Sequence, residues 1–207
     1  MFTIYGRANS SNVRKVLWLC GELGLDEYER LDYGRGYTPC DSPEYVKLNP
    51  NKVVPTLVDG DLVVWESNTI MRYLAMKHGP ETIYPKDLAA RTRVEMWLDW
   101  QQTTLLPGVR DLFMGLFVKL APHNAPETIE SNRQQTTAAM RVLDARMDSG
   151  GYVAGGDLTI ADCAIGMFVH RWHALDIERP DLPSVAAYYE RLKARGPFQE
   201  WIVGLGV

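Results

Sequence analysis

The stretch "NPNKVVPTLVDGDLVVWESNTIMRYL", residues 49–74, decides how this chain folds. "PTLVD" and "LVVWE" are runs rich in β-branched residues separated by Gly60-Asp61, the signal of a hairpin. Pro55 has no N–H to give to a ladder, so it marks an edge strand or a turn that delivers the chain into the strand. A cis Val54-Pro55 bond is the turn that would leave the N–H and C=O of Val54 facing outward, ready to pair with an extended peptide. "SNTIMRYLAMKHG" then starts on capping residues, puts Ile70, Tyr73 and Leu74 on one face and stops at Gly79.

Working outward, "FTIYG" reads as a short strand and "NVRKVLWLCGELGL" as a helix, with Val13, Val16, Leu17 and Cys20 at helical spacing. The irregular segment "DYGRGYTPCDSPEYVKLNPNK" follows. The order β-α-(β)-β-β-α suits a small α/β sheet covered by helices. "HGPETIYPKD" is rich in turn formers and reads as a linker, beyond which the strand pattern disappears. Segments starting at "AARTRVEMW", "PETIESNRQ", "LTIADCAIG" and "LPSVAAYYE" all read as helices. The expected division is an α/β domain over 1–79, a linker over 80–88 and an all-α domain over 89–207.

The 207 residues are enough for one large core or two small ones, and 46% hydrophobic with 23% charged residues is ordinary for a globular protein. A net charge of −4 without long like-charge blocks favours neither nucleic acid nor an anionic membrane. The amino terminus has no leader-like apolar block, and the reading is a cytoplasmic protein. Three scattered cysteines offer neither a disulfide framework nor a zinc pattern, so no metal is expected. Cys20 and Cys163 read as core residues and Cys40 as an incidental thiol. His170 and His173 share a helix face but lack a further ligand.

Two helix starts are candidates for chemistry. Ser10, Ser11 and Asn12 open the first helix, where free N–H groups and the positive dipole end favour an anion such as a thiolate. Glu66 and Ser67 open another, offering an acceptor for an ammonium and a hydroxyl with a backbone N–H for a carboxylate. Either set also reads as ordinary capping. With the Val54 edge, they suggest a pocket for a small thiol peptide.

The quoted stretch resembles the glutathione-site signature of the glutathione transferases: asparagine-proline, then valine-proline, then glutamate-serine leading into a helix. "GGDLTIADCAIG" resembles the capping box of that family's helical domain, with Thr159 and Asp162 at the T-x-x-D spacing. The resemblance implies α/β plus all-α architecture: a thioredoxin-like βαβαββα domain, then a helical domain, in a homodimer. It implies glutathione as co-substrate, paired through Val54 across cis-Pro55 and held at its γ-glutamyl end by Glu66 and Ser67. Relatives carry a lysine two positions before that proline; here Val53 stands there, leaving Lys52 or Arg35 for the glycyl carboxylate.

Alignment with serine-type classes puts Ser10 at the thiol-activating position, with Ser11 and Asn12 as neighbours able to take that role. Tyr5, at the end of the first strand, is the tyrosine-class alternative. The chain resembles a bacterial theta-like group that displaces halide from small haloacids, for which Arg7 and Arg110 are the candidate carboxylate ligands. Trp97, Trp100, Gln101, Thr104, Met114, Phe117 and Trp172 lie in stretches able to line the electrophile's pocket. Glutathione-dependent peroxidase or reductase activity, or a non-catalytic ligand-binding role, are the alternatives.

Overall fold

The computed structural model describes residues 1–147 and 151–206. It opens with β1 (Phe2–Tyr5), α1 (Ser11–Glu22), β2 (Tyr28–Leu31), α2 (Pro43–Leu48), β3 (Thr56–Asp59), β4 (Leu62–Trp65) and α3 (Ser67–His78). The strand order is β2-β1-β3-β4, with β1 and β2 parallel and the rest antiparallel. This is the thioredoxin-like order. The second strand left open by residue pattern is Tyr28–Leu31. The irregular segment hides α2, started by Ser42, whose hydroxyl accepts from Tyr45 N–H, with Pro43 in its first turn. Six residues are too few to show a helical period, which is why pattern alone misses α2.

The helical part follows as α4 (Leu88–Trp100), α5 (Leu106–Leu116), α6 (Pro126–Arg146), α7 (Ile160–Ala174), α8 (Pro183–Lys193) and α9 (Gly196–Phe198). The helical segment that starts at "AARTRVEMW" is interrupted by a π-helical stretch, Gln101–Leu105. Pro107 cannot donate to the carbonyl four residues back and its ring crowds it, so the chain widens its turn there.

α7 carries buried residues from Ile160 to Trp172 and is the axis of the core. α1 is likewise buried on both sides, against the sheet and against α7. Helical spacing marks only one apolar face of α1; its other face, including Arg14 and Lys15, is covered by the helical part. The contact is close: a Cβ at Gly166 would come within 2.9 Å of the Trp18 ring, so only glycine lets α7 approach there. Glu22 locks the same junction, accepting from Trp18 Nε1 at 2.7 Å and from Arg195 Nε at 2.8 Å.

The T-x-x-D box starts α7. Asp162 accepts from Thr159 N at 2.8 Å, Thr159 Oγ1 at 3.0 Å, Val153 N at 2.9 Å and Tyr188 Oη at 3.0 Å. Complete burial pushes its carboxyl up to about 6 against the pull of those bonds. Cys20 and Cys163 are fully buried.

Candidate active site

The loop from β1 into α1 forms one wall of a cavity of about 760 Å³, lined among others by Arg7, Ser10, Asn12, Arg35, Lys52 and Val54. Three cations face Asp41 as the lining carboxylate, so the cavity suits an anionic ligand. Burial, and then Arg35, lower the Arg7 pKa. Gly34 sits so close that a Cβ there would come within 2.6 Å of Arg7 Nη1; its backbone, at φ +99°, makes room for that guanidinium. Cys40 also lines the cavity, and burial raises its thiol pKa.

The first turn of α1 is unfinished. Ser10 is the N-cap residue and its carbonyl accepts from Arg14 N at 2.8 Å, yet its hydroxyl makes no capping bond. The first-turn N–H groups therefore keep no side-chain partner from the cap. Asn12 Oδ1 is buried without a partner among the described residues. Ser11 is occupied differently, its Oγ accepting from Arg171 Nη1 at 2.6 Å.

Opposite, the Val54-Pro55 bond is cis. Val54 comes two residues before β3 begins, and among the described residues its N–H and C=O join no backbone ladder. The neighbouring Val53 carbonyl is held by Tyr45 Oη at 2.6 Å and Asn49 Nδ2 at 2.9 Å, and both groups also reach Thr56 Oγ1. This buried clamp fixes the loop that carries Val54. Asn49 lies inside the quoted signature, but Tyr45 lies outside it and only the fold brings its hydroxyl here.

Register pairs Thr56 with Trp65, so Glu66 and Ser67 leave β4 where Pro55 and Val54 enter β3. Glu66 has φ +71°, a left-handed conformation costly for a residue with a side chain. Ser67 is buried and its Oγ has no partner among the described residues. A strained acid and an orphaned buried hydroxyl thus meet at one helix start. Behind them, fully buried Lys15 donates to Asn68 Oδ1 at 2.9 Å and Gln101 Oε1 at 3.4 Å, its pKa lowered to about 7 by burial. The π-helical stretch carries Gln101 to this junction.

The remaining expected residues scatter. Tyr5 packs edge-on to Tyr33, with ring centres 5.3 Å apart, and lies near Tyr45. Pro55 is buried. Trp100, edge-on to Trp97, lines a separate cavity of about 410 Å³ with Arg93 and Arg146. Trp172 is corrected to a core residue: it is 1% exposed, with the Arg179 guanidinium over its ring. Arg110 is exposed and pairs with Asp111 at 2.8 Å. Phe117 is 58% exposed, stacked on Phe113, and Met114 is half-buried on α5. Among the described residues no cluster of His, Cys, Asp and Glu is arranged to hold a metal ion, and no helix is long and apolar enough to cross a membrane.

Residues 1–76 match the family model "Glutathione S-transferase, N-terminal domain", and residues 126–191 match "Glutathione S-transferase, C-terminal domain". The sequence is 33% identical over 198 residues to glutathione S-transferase GstB of Escherichia coli (strain K12), covering 94% of each chain. It is 30% identical over 213 residues to glutathione S-transferase 3 of Zea mays, covering 98% of this chain and 93% of the relative. The theta class glutathione S-transferase of Xanthomonas axonopodis pv. citri, solved with glutathione bound, superposes with a TM-score of 0.91 at 39% identity, covering 97% and 96%.

Proposed function

Because the chain belongs to the glutathione S-transferase family and is a glutathione transferase, we propose that it activates the glutathione thiol at the N-terminus of α1. Ser10 donates to the forming thiolate, with Asn12 and the first-turn N–H groups completing the anion's surroundings. The backbone of Val54 pairs with the cysteinyl unit. Glu66 and Ser67 hold the γ-glutamyl end, which supplies the partner that the orphaned Ser67 hydroxyl lacks. Lys52 and Arg35 face the glycyl carboxylate.

The observation that carries this reading is the unfinished first turn of α1, opening on a cationic cavity. The thiolate attacks an electrophilic carbon; for a haloacid a sulfur–carbon bond forms, the carbon–halogen bond breaks and halide leaves, while the thiol proton passes to water. We take small haloacids as the substrate class, with Arg7 in place of Arg110 as carboxylate partner, because Arg7 faces the cavity and Arg110 is paired at the surface. Bromide release from bromoacetate and glutathione tests this: Ser10→Ala should lower kcat/KM about a hundredfold with glutathione still bound. Full activity in that variant removes Ser10 from its role, and no bromide from the parent protein removes haloacids.

We also propose the 1–79 and 89–207 division as two domains joined by 80–88, in a cytoplasmic homodimer. Leu62, Val63 and Trp65 are exposed on β4, an edge strand, and an apolar edge asks for cover. Light scattering should report a dimer that Trp65→Glu weakens; a monomer for the parent protein rejects it.

A further inference from the structure

Arg171, on α7, is 3% exposed and carries its guanidinium to the first turn of α1. Nη1 donates to Ser11 Oγ at 2.6 Å, and the guanidinium carbon lies 3.8 Å from the centre of the Phe113 ring on α5. Its Nε is buried with no partner among the described residues. A guanidinium taken out of water ordinarily finds a carboxylate, because an uncompensated buried charge is costly. Among the described residues, the charged and titratable groups that face it are Arg14 from α1 and His170 from its own helix, while α5 contributes the Phe113 ring. None is an anion. Burial and Arg14 lower the Arg171 pKa to about 9, which leaves it charged at neutral pH.

Arg14 is itself 1% exposed and donates to the carbonyls of Gly206, at 2.5 Å, and Leu205, at 2.8 Å. Two buried cations therefore stand behind the unfinished helix start, adding to the positive end of its dipole. Ser11 Oγ uses a lone pair to accept from Arg171 and keeps its own proton to donate, and accepting from a charged donor strengthens that donation.

We propose that Arg171 is a positioning residue for thiol activation, holding the first turn of α1 through Ser11 and lending it a positive charge that favours the thiolate. This rests on the reading that the glutathione thiol lies at that turn.

The test is the pH titration of the ultraviolet thiolate absorbance of glutathione bound to the full chain, with calorimetric affinity measured on the same samples. Arg171→Met, which keeps the bulk over Phe113, should raise the thiol pKa by about one, and so lower kcat/KM about tenfold at pH values below it. At pH values well above it, activity should converge on that of the parent. Arg171→Lys, which keeps the charge, should restore most of the low pKa. Ser11→Ala should raise it too, with the double variant less than additive. If Arg171→Met does not fold, Ser11→Ala and Arg171→Lys decide alone. A thiol pKa within about 0.2 of the parent's in Arg171→Met or Ser11→Ala, with glutathione still bound, overturns the inference. Absence of thiolate in the parent protein overturns the functional reading beneath it.

Discussion

The helices α1 and α7 begin with the same kinds of residue and use them in opposite ways. At α7, Thr159 and Asp162 cap each other, and Asp162 also takes up Val153 N and Tyr188 Oη, so the start is closed on itself. At α1, the Ser10 hydroxyl makes no capping bond and Asn12 keeps a buried oxygen without a partner among the described residues. Ser67, at the start of α3, resembles α1 in this respect. A cap whose bonds are all internal serves the fold, and one left open at a cavity is available to a ligand.

That contrast is broken most directly at Asp162. Asp162→Ala should lower unfolding free energy by about 3–5 kcal/mol, from a lost cap of about 1 and orphaned donors at Val153, Thr159 and Tyr188 of about 1 each. Urea denaturation measures it; a loss under about 1 kcal/mol would mean that the box is not what closes α7. At the open end the sign of the contrast reverses. Ser67→Ala should raise the glutathione KM about tenfold, the worth of one lost ligand hydrogen bond, with melting temperature held or slightly increased because a buried orphan hydroxyl is gone. A melting temperature drop of several degrees with unchanged KM would class Ser67 with Thr159.

The far end of α7 gives the smallest effect. Burial lowers the pKa of His170 and His173 to about 4. Between the ordinary histidine value of 6.5 and that value the unfolded chain binds protons that the folded chain refuses, so stability falls as pH falls through this window. Asp162 works the other way: with its folded pKa raised to about 6, the folded chain takes its proton first as pH drops toward 3.8, which adds stability. His173→Phe keeps the stack on Tyr189, whose ring lies 4.4 Å away, and removes one of the two opposing histidines. It should flatten the fall in stability between pH 6.5 and 4, read by denaturation at several pH values; an unchanged slope would assign that fall to other groups.

Much of this was open to reading in one dimension. The hairpin around Gly60-Asp61, the helix that follows Ser67 and the Thr159–Asp162 box are local, each set by residues within a few positions of one another, so their chemistry is printed in order. β2 and α2 were less legible because four and six residues carry too little periodicity. Among the expected site residues, those clustered in sequence, Ser10 with Asn12 and Lys52 with Val54, line one cavity. For Trp172 residue type is the only local signal, and type alone does not say which side of a helix is covered.

The sequence by itself determined the hairpin and the longer helices, the break between strand-bearing and helical halves, and the capping residues at the helix starts, because capping, turn chemistry and hydrophobic period act over short spans. Tertiary structure decided which starts were left open and what stands behind them. Ser11 and Arg171 are 160 residues apart, and Tyr45 reaches Val53 and Thr56 only once α2 folds against the sheet. Whether a buried polar group is satisfied depends on neighbours that the chain brings in from a distance, and burial is what makes an unsatisfied one costly enough to matter.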